Sequence, residues 1–272
     1  MPLPTPLEAQ AFGRYSDSAQ ITAYLRALAA ASGGAAVFGC AGRSALGREI
    51  PVLLCGVADP VRVASDKLRV MLVGSLHGAS EAAGCEALLC LARELLLGEL
   101  RELLDVFELV LIPNANPDGR DADSFRNGNT VNINRDFVLL EQPESRALDA
   151  AVRHYAPAVV LDAHESAVLK RKTLGQEGYL TAFEAQFDVA STPAIPAALR
   201  DFATDILLPQ LIAGVQARGL HAQRYIGEIR SLSQPITHGG LTLRMFRNKA
   251  GLRGLLTVLL ETPMEPKAGQ YA

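Results

Sequence analysis

The chain has few cysteines, and none is placed for a zinc knuckle or a redox motif. Cys40, Cys55, Cys85 and Cys90 lie in apolar surroundings without closely spaced pairs, so we expect buried free thiols. A reducing compartment fits this pattern. The N-terminal segment also lacks the basic start and apolar stretch of a secretory signal, so the expected location is cytoplasmic.

Long apolar runs and a strong net charge are also missing. No run reaches the ~18 apolar residues that a membrane span requires, so we expect no membrane association. A net charge of −3 offers no basic surface for nucleic acid. Apolar residues nevertheless make up 49% and charged residues 20% of the 272 positions, which is enough for a sizeable core. With no evident linker or repeat, residues 1–272 are expected to form one domain.

The hydrophobic pattern predicts an α/β fold. Helical spacing of apolar residues predicts a helix over Ser18–Ala31, and two β-like runs at 36–40 and 49–56 flank a glycine-containing turn. The pattern then alternates between strand and helix in the βαβ manner, which implies parallel pairing. The further predicted strands are 68–75, 106–112, 159–163 and 254–260, and the further helices are 81–97, 145–155 and 197–217. We expect a mixed, mostly parallel twisted sheet with helices on both faces.

Two histidines follow apolar runs that read as buried strands. His77 and His164 should each emerge at the carboxyl end of a strand, where open α/β sheets place their ligands. Glu81 lies four residues after His77, so the two side chains can share one face of a turn. Two imidazoles and one carboxylate suit a catalytic Zn²⁺ that keeps a position for water.

Each of these residues also has a structural interpretation. His77 can end a strand, Glu81 can favour a helix amino terminus through the helix dipole, and His164 can be a hydrogen-bonded core histidine. For any one of them alone, the structural interpretation is the more common one.

A long polar segment at 113–137 separates two predicted strands. It exceeds the usual length of a connection in a compact domain, and such segments often carry function. Its Asn-Pro-Asp-Gly sequence is good turn chemistry. Arg126 and Arg135 in the same segment are planar, permanently charged groups that suit a carboxylate or a developing oxyanion.

Several short motifs occur together in one order. They are HGASE at 77–81, NPDGR at 116–120, NINRDF at 132–137, LDAHES at 161–166 and a late apolar strand that ends in Glu261. In this order the chain resembles the zinc metallocarboxypeptidases of the pancreatic carboxypeptidase type. The early helix and the GRSALGR turn at 42–48 resemble that family as well, so the likeness spans nearly the whole chain.

The resemblance implies a zinc carboxypeptidase-like fold, one Zn²⁺ ion and hydrolysis of the C-terminal residue of a peptide by metal-activated water. It assigns His77, Glu81 and His164 as the metal ligands and Glu261 as the general base. Arg126 is assigned to polarise the scissile carbonyl, and Asn134 with Arg135 to hold the terminal carboxylate.

The chain departs from the family pattern in two places. Three residues separate His77 from Glu81, where the family usually has two. A turn eased by Gly78 could absorb the extra residue. Glu86 is a poorer candidate than Glu81 for the carboxylate ligand. The family tyrosine that closes over the substrate is missing, since no tyrosine occurs between Tyr225 and Tyr271. Its contact is then absent or comes from Tyr225, His238 or another residue.

Substrate and partners are less closely defined. Arg244 follows a Gly-Gly turn near the expected pocket for the last substrate side chain, where it could favour an acidic residue. Two other functions stay open: a zinc amidohydrolase of the aspartoacylase type acting on N-acyl amino acids, and a non-catalytic binding protein with the same cleft. The natural substrate and the oligomeric state are not indicated.

Overall fold

The structure is a computed structural model that describes residues 3–57, 66–169, 181, 183–227, 229, 231, 233 and 236–264. The α-helices are α1 (Pro6–Ala9), α2 (Ser18–Ala31), α3 (Ala83–Leu97), α4 (Pro117–Asp121), α5 (Pro143–Tyr155), α6 (Ala197–Phe202), α7 (Leu208–Gln216) and α8 (Phe246–Leu252). The strands are β1 (Ala36–Arg43), β2 (Glu49–Cys55), β3 (Leu68–Val73), β4 (Phe107–Ile112), β5 (Val159–Ala167), β6 (Ala185–Val189), β7 (Ala222–Arg224) and β8 (Leu256–Met264).

All of these strands join one sheet, in the order β1-β2-β4-β3-β5-β8-β6-β7. The central pairs β4-β3, β3-β5 and β5-β8 are parallel, as is β6-β7, whereas β1-β2, β2-β4 and β8-β6 are antiparallel. The predicted mixed and mostly parallel sheet is therefore confirmed. It places the carboxyl ends of β3, β5 and β8 side by side at one edge.

Helices cover both faces of the sheet, as predicted. α5 and α8 pack on one face against side chains such as Val52 and Val110, and α2 and α3 pack on the other against Leu53 and Leu111. Successive strand residues point to opposite faces, so a strand buried on both sides needs apolar residues at every position. That requirement explains the continuous apolar runs in the sequence. α7 packs against β6, β7 and β8.

Several predicted elements differ from the observed ones. β5 was expected to end at residue 163 but continues to Ala167, because Glu165 to Ala167 pair with the last residues of β8. The helix expected over 197–217 is divided by a π-helical turn, Ala203–Leu207, just before Pro209. Proline lacks the amide proton for a regular helical bond, which accounts for the local change in pitch. β6, β7 and α8 were not predicted.

The cysteine prediction is partly correct. All four cysteines are free, but only Cys55 and Cys85 are buried; Cys90 is half-buried and Cys40 is exposed on the edge strand β1. In the part of the chain that the structure describes, no helix has the length and apolar character needed to cross a bilayer.

Candidate active site

His77 lies in a tight turn between β3 and α3. Its carbonyl accepts the amide of Ser80, and the 3-10 turn Gly78–Glu81 precedes α3, which begins only at Ala83. Gly78 has a positive φ of 57°, and a Cβ at this position would lie 2.5 Å from the carbonyl carbon of Gly119. The expectation that a glycine-eased turn accommodates the extra residue before Glu81 is confirmed, since only glycine fits this conformation and contact.

His164 lies on β5 rather than beyond its end, which corrects the sequence-based expectation. In the parallel pair β5-β8 it is directly opposite Glu261. Residues opposite each other in neighbouring strands project from the same face of a sheet, so the two side chains face the same space. The sheet thus holds Glu261 beside the histidine cluster by backbone pairing alone.

Glu81 brings the two histidines together. Its Oε1 lies 2.7 Å from Nδ1 of His77, and its Oε2 lies 2.7 Å from Nδ1 of His164. All three side chains are buried, and their candidate ligand atoms lie within 4.8 Å of one another. Because both Nδ1 atoms aim at one carboxylate, the three groups converge on a single point. This donor set fits a catalytic zinc ion.

The protonation states are set by burial and by the neighbouring carboxylates. Burial alone would raise the pKa of Glu81, but the two imidazoles lower it well below its usual range. Burial lowers the pKa of His77. Burial has the same effect on His164, but the charges of Asp162 and Glu81 outweigh it and raise the pKa of His164. The cluster therefore holds one ionised carboxylate, which a metal ligand must be.

Asp162 supports His164 from the side opposite Glu81. It is 1% exposed, and its Oδ1 lies 3.0 Å from Nε2 of His164. This contact is an ion pair, and neither oxygen of Asp162 makes a hydrogen bond with a described residue. A carboxylate behind a ligating histidine commonly fixes the tautomer and the ring orientation. Strand alternation places residues 162 and 164 on one face, so the sequence could have indicated this contact.

The cluster opens into a cavity of about 330 Å³ at the carboxyl edge of the sheet. Among the other residues that line this cavity are Asn134, Arg135 and Glu261, all expected from the sequence, and Tyr225 and Arg247. Tyr225 was one of two candidates to replace the missing tyrosine. The second, His238, contacts the Tyr225 carbonyl through its Nδ1 at 2.9 Å.

A 3-10 turn, Ile133–Arg135, fixes the pair Asn134 and Arg135. Oδ1 of Asn134 accepts the amide of Phe246 at 2.9 Å, and Nη1 of Arg135 donates to the Asn134 carbonyl at 2.7 Å. Burial and the positive charges of Arg244 and Arg247 lower the pKa of Arg135. Because an arginine stays charged in proteins, Arg135 brings a positive charge to a cavity that Glu81 and Glu261 also line.

Two expected site residues lie outside the cavity. The side chain of Arg126 is exposed, and its Nη1 donates to the Thr130 carbonyl at 2.8 Å. Arg244 is also exposed, and its Nε donates to the Arg135 carbonyl at 2.8 Å. The structure therefore places Arg244 behind Arg135 rather than in the pocket.

The NPDGR segment has a structural role. Asn116 caps α4 by accepting the Gly119 amide at 3.0 Å, and Pro117 occupies the first helical turn. The sequence predicted a turn here, and the structure has the beginning of a short helix instead. Asp118 accepts from the Ser44 hydroxyl at 2.7 Å and from Arg48 at 2.8 Å. These contacts fasten the long segment to the β1-β2 hairpin.

Arg120 fastens the same segment to the site. It donates to the Ser16 and Ala82 carbonyls at 2.7 and 3.1 Å and forms a buried ion pair with Glu86. Glu86 is therefore occupied elsewhere, which removes it as a substitute for Glu81.

Comparison with known proteins agrees with this geometry. Residues 21–167, which include the histidine cluster, match the family model for zinc carboxypeptidase. The chain belongs to this family. Carboxypeptidase 2 of Trichophyton rubrum is 25% identical over 245 residues, which cover 88% of this chain and 45% of that protein. Carboxypeptidase 2 of Trichophyton tonsurans is 26% identical over 226 residues, with 81% of this chain and 42% of that protein covered.

Solved structures show the same fold. A metallo-carboxypeptidase from Burkholderia cenocepacia aligns with a TM-score of 0.69 and 18% identity, over 92% of this chain and 61% of that chain. Carboxypeptidase A from Helicoverpa armigera aligns with a TM-score of 0.68 and 16% identity, over 94% of this chain and 66% of that chain. The present chain spans about half the length of the curated relatives it matches.

Proposed function

We propose that this chain is a zinc-dependent carboxypeptidase that removes the C-terminal amino acid of a peptide. The observation that carries the proposal is the convergence of His77, Glu81 and His164 at a cavity that also contains Glu261 and Arg135. Membership of the zinc carboxypeptidase family supports it.

His77 and His164, through their Nδ1 atoms, and Glu81, through its carboxylate, would hold the zinc ion. When bound, zinc supplies a Lewis acid that polarises the scissile carbonyl and makes a water acidic near neutral pH. Family members use one such ion, and this chain has one cluster that fits it among the residues that the structure describes.

Arg135 and Asn134 bind the terminal carboxylate of the peptide. The Arg135 guanidinium presents parallel N–H donors that match a carboxylate, and the 3-10 turn holds its backbone in place. A free C-terminus is the group that distinguishes the end of a peptide from its interior. Recognition at Arg135 therefore restricts cleavage to the last peptide bond.

Glu261 acts as the general base. It accepts the proton of the attacking water at its carboxylate and then delivers that proton to the departing amine. Backbone pairing with His164 holds it at the edge of the cluster, in the same cavity as Arg135. Arg126 is proposed to stabilise the developing oxyanion after its guanidinium leaves the Thr130 carbonyl.

Zinc content and turnover should be measured on the same protein. The purified chain is expected to bind one zinc and to release the terminal amino acid from a panel of peptides. Glu261→Gln is expected to keep the zinc while turnover falls by ~10² to 10⁴, as for loss of a positioned base. Full turnover in that variant would contradict the role of Glu261.

The same assay separates the alternatives. Deacylation of N-acyl amino acids without peptide cleavage would indicate an amidohydrolase. Stoichiometric zinc without turnover on either substrate class would indicate a binding protein.

A further inference from the structure

Arg247 is a buried arginine, and two of its three guanidinium nitrogens make no hydrogen bond with a described group. It is 5% exposed, lies in the first turn of α8 and lines the same cavity as the histidine cluster. Its Nε and Nη2 make no hydrogen bond with any group that the structure describes. Burying an unsatisfied guanidinium is costly, so native proteins rarely keep one without a partner. An anionic group entering the cavity would supply the missing acceptor.

The surrounding charges do not satisfy Arg247 either. Its Nη2 lies 3.6 Å from Oδ2 of Asp188, and that oxygen makes no hydrogen bond with a described residue. The other oxygen of Asp188 lies 3.5 Å from Nε of Arg224. One fully buried carboxylate is thus shared by two arginines, which leaves one positive charge uncompensated in this group.

A second cation lies across the same cavity. Arg135 also lines it, and burial together with the positive charges of Arg244 and Arg247 lowers the pKa of Arg135. Like charges held together in a half-enclosed space favour a ligand that carries two negative charges. A C-terminal residue with an acidic side chain has two such charges.

We propose that the cavity selects peptides that end in glutamate or aspartate, with the side-chain carboxylate bound by the guanidinium group of Arg247 and the terminal carboxylate bound by Arg135. This inference rests on the proposed carboxypeptidase function. It replaces Arg244, which lies outside the cavity and donates to the Arg135 carbonyl, as the source of an acidic preference.

The test compares peptides that differ only in their last residue, glutamate or glutamine. For the zinc-loaded protein we expect kcat/KM to be about 10- to 100-fold higher for glutamate, because a charge-assisted bidentate contact is lost with the amide. Arg247→Gln should bring this ratio close to one. Arg247→Lys, which keeps a charge without the planar fork, should leave an intermediate ratio.

Two control variants make the result specific. Arg253→Gln, just beyond the other end of α8, removes an arginine that pairs with Asp149 and should change neither the rates nor the ratio. Arg244→Gln should leave the ratio unchanged. A ratio near one in the wild-type protein, or a ratio lost in Arg244→Gln and kept in Arg247→Gln, would overturn the proposal.

The specificity proposal can be tested separately from the proposed carboxypeptidase function. If no peptide is cleaved, calorimetric binding of free glutamate and of glutamine to the wild-type protein still tests the site, with glutamate expected to bind at least tenfold more tightly. Equal binding would overturn the inference. If Arg247→Gln and Arg247→Lys both fail to fold, the wild-type ratio alone decides.

Discussion

Asp162 provides a sensitive test of how the fold prepares His164 for a metal. Its Oδ1 lies 3.0 Å from Nε2 of His164 in an ion pair, and its carboxylate makes no hydrogen bond with a described residue. Removing a carboxylate that orients a ligating histidine typically weakens metal binding by 10- to 100-fold. We expect Asp162→Ala to raise the zinc Kd by about that factor, or about 1.4–2.8 kcal/mol at 1.4 kcal/mol per tenfold.

The zinc Kd of Asp162→Asn should fall between those of wild type and alanine, because its amide oxygen can keep the position beside Nε2 but carries no charge. The assay is competition for zinc with a chromophoric chelator, at a temperature where calorimetry shows every variant folded. Asp149→Ala is the matched control, since Asp149 on α5 is also buried but pairs with Arg253 and Arg153 instead of a histidine. It should leave the Kd unchanged.

An unchanged Kd in Asp162→Ala would refute the reasoning. So would an equal loss of affinity in Asp149→Ala, because the effect would then follow from general loosening of the fold.

Three further predictions concern the turn, the carboxylate clamp and the metal. Gly78→Ala should lower the free energy of unfolding, measured by urea denaturation, by about 1–3 kcal/mol. The alanine would have to adopt a positive φ with its Cβ against Gly119. Stability equal to wild type would contradict the turn geometry. Arg135→Ala should chiefly raise KM in steady-state assays, and a fall in kcat alone would contradict its binding role. Removing zinc with a chelator should lower the free energy of unfolding, measured by calorimetry with and without zinc. Adding free zinc back at 1,000 times its Kd should raise that free energy by about 4.1 kcal/mol. A melting temperature that does not respond to zinc would contradict binding to the folded state.

The positions of the histidine cluster could be predicted from the sequence because they follow the strongest local patterns. Apolar runs fixed β3 and most of β5, and the alternation of strand and helix fixed their parallel pairing. His77 and His164 then had to lie near one sheet edge. The predicted strand ended at residue 163, yet β5 continues to Ala167, since pairing with β8 satisfies the backbone groups of these residues.

The rest of the cavity depends on contacts that a local pattern does not carry. Arg247 lies on α8, a helix of seven residues that shows too little periodicity to be recognised. The side chains of Arg126 and Arg244 are held by backbone carbonyls in the long polar segment, at Thr130 and Arg135. These partners are fixed by tertiary packing, so residue type and order alone could not separate cavity arginines from surface ones.

The most direct test of the central claim is the zinc content of Glu81→Gln. Glu81 contacts both histidines at 2.7 Å, so its loss removes one donor and the group that holds the other two. Equilibrium dialysis followed by metal analysis should give about one zinc per wild-type chain and per chain of the control Glu94→Gln, on the helix α3 that follows the turn of Glu81. Glu81→Gln should give almost none. One tightly bound zinc in folded Glu81→Gln, or none in the wild-type protein, would contradict the account.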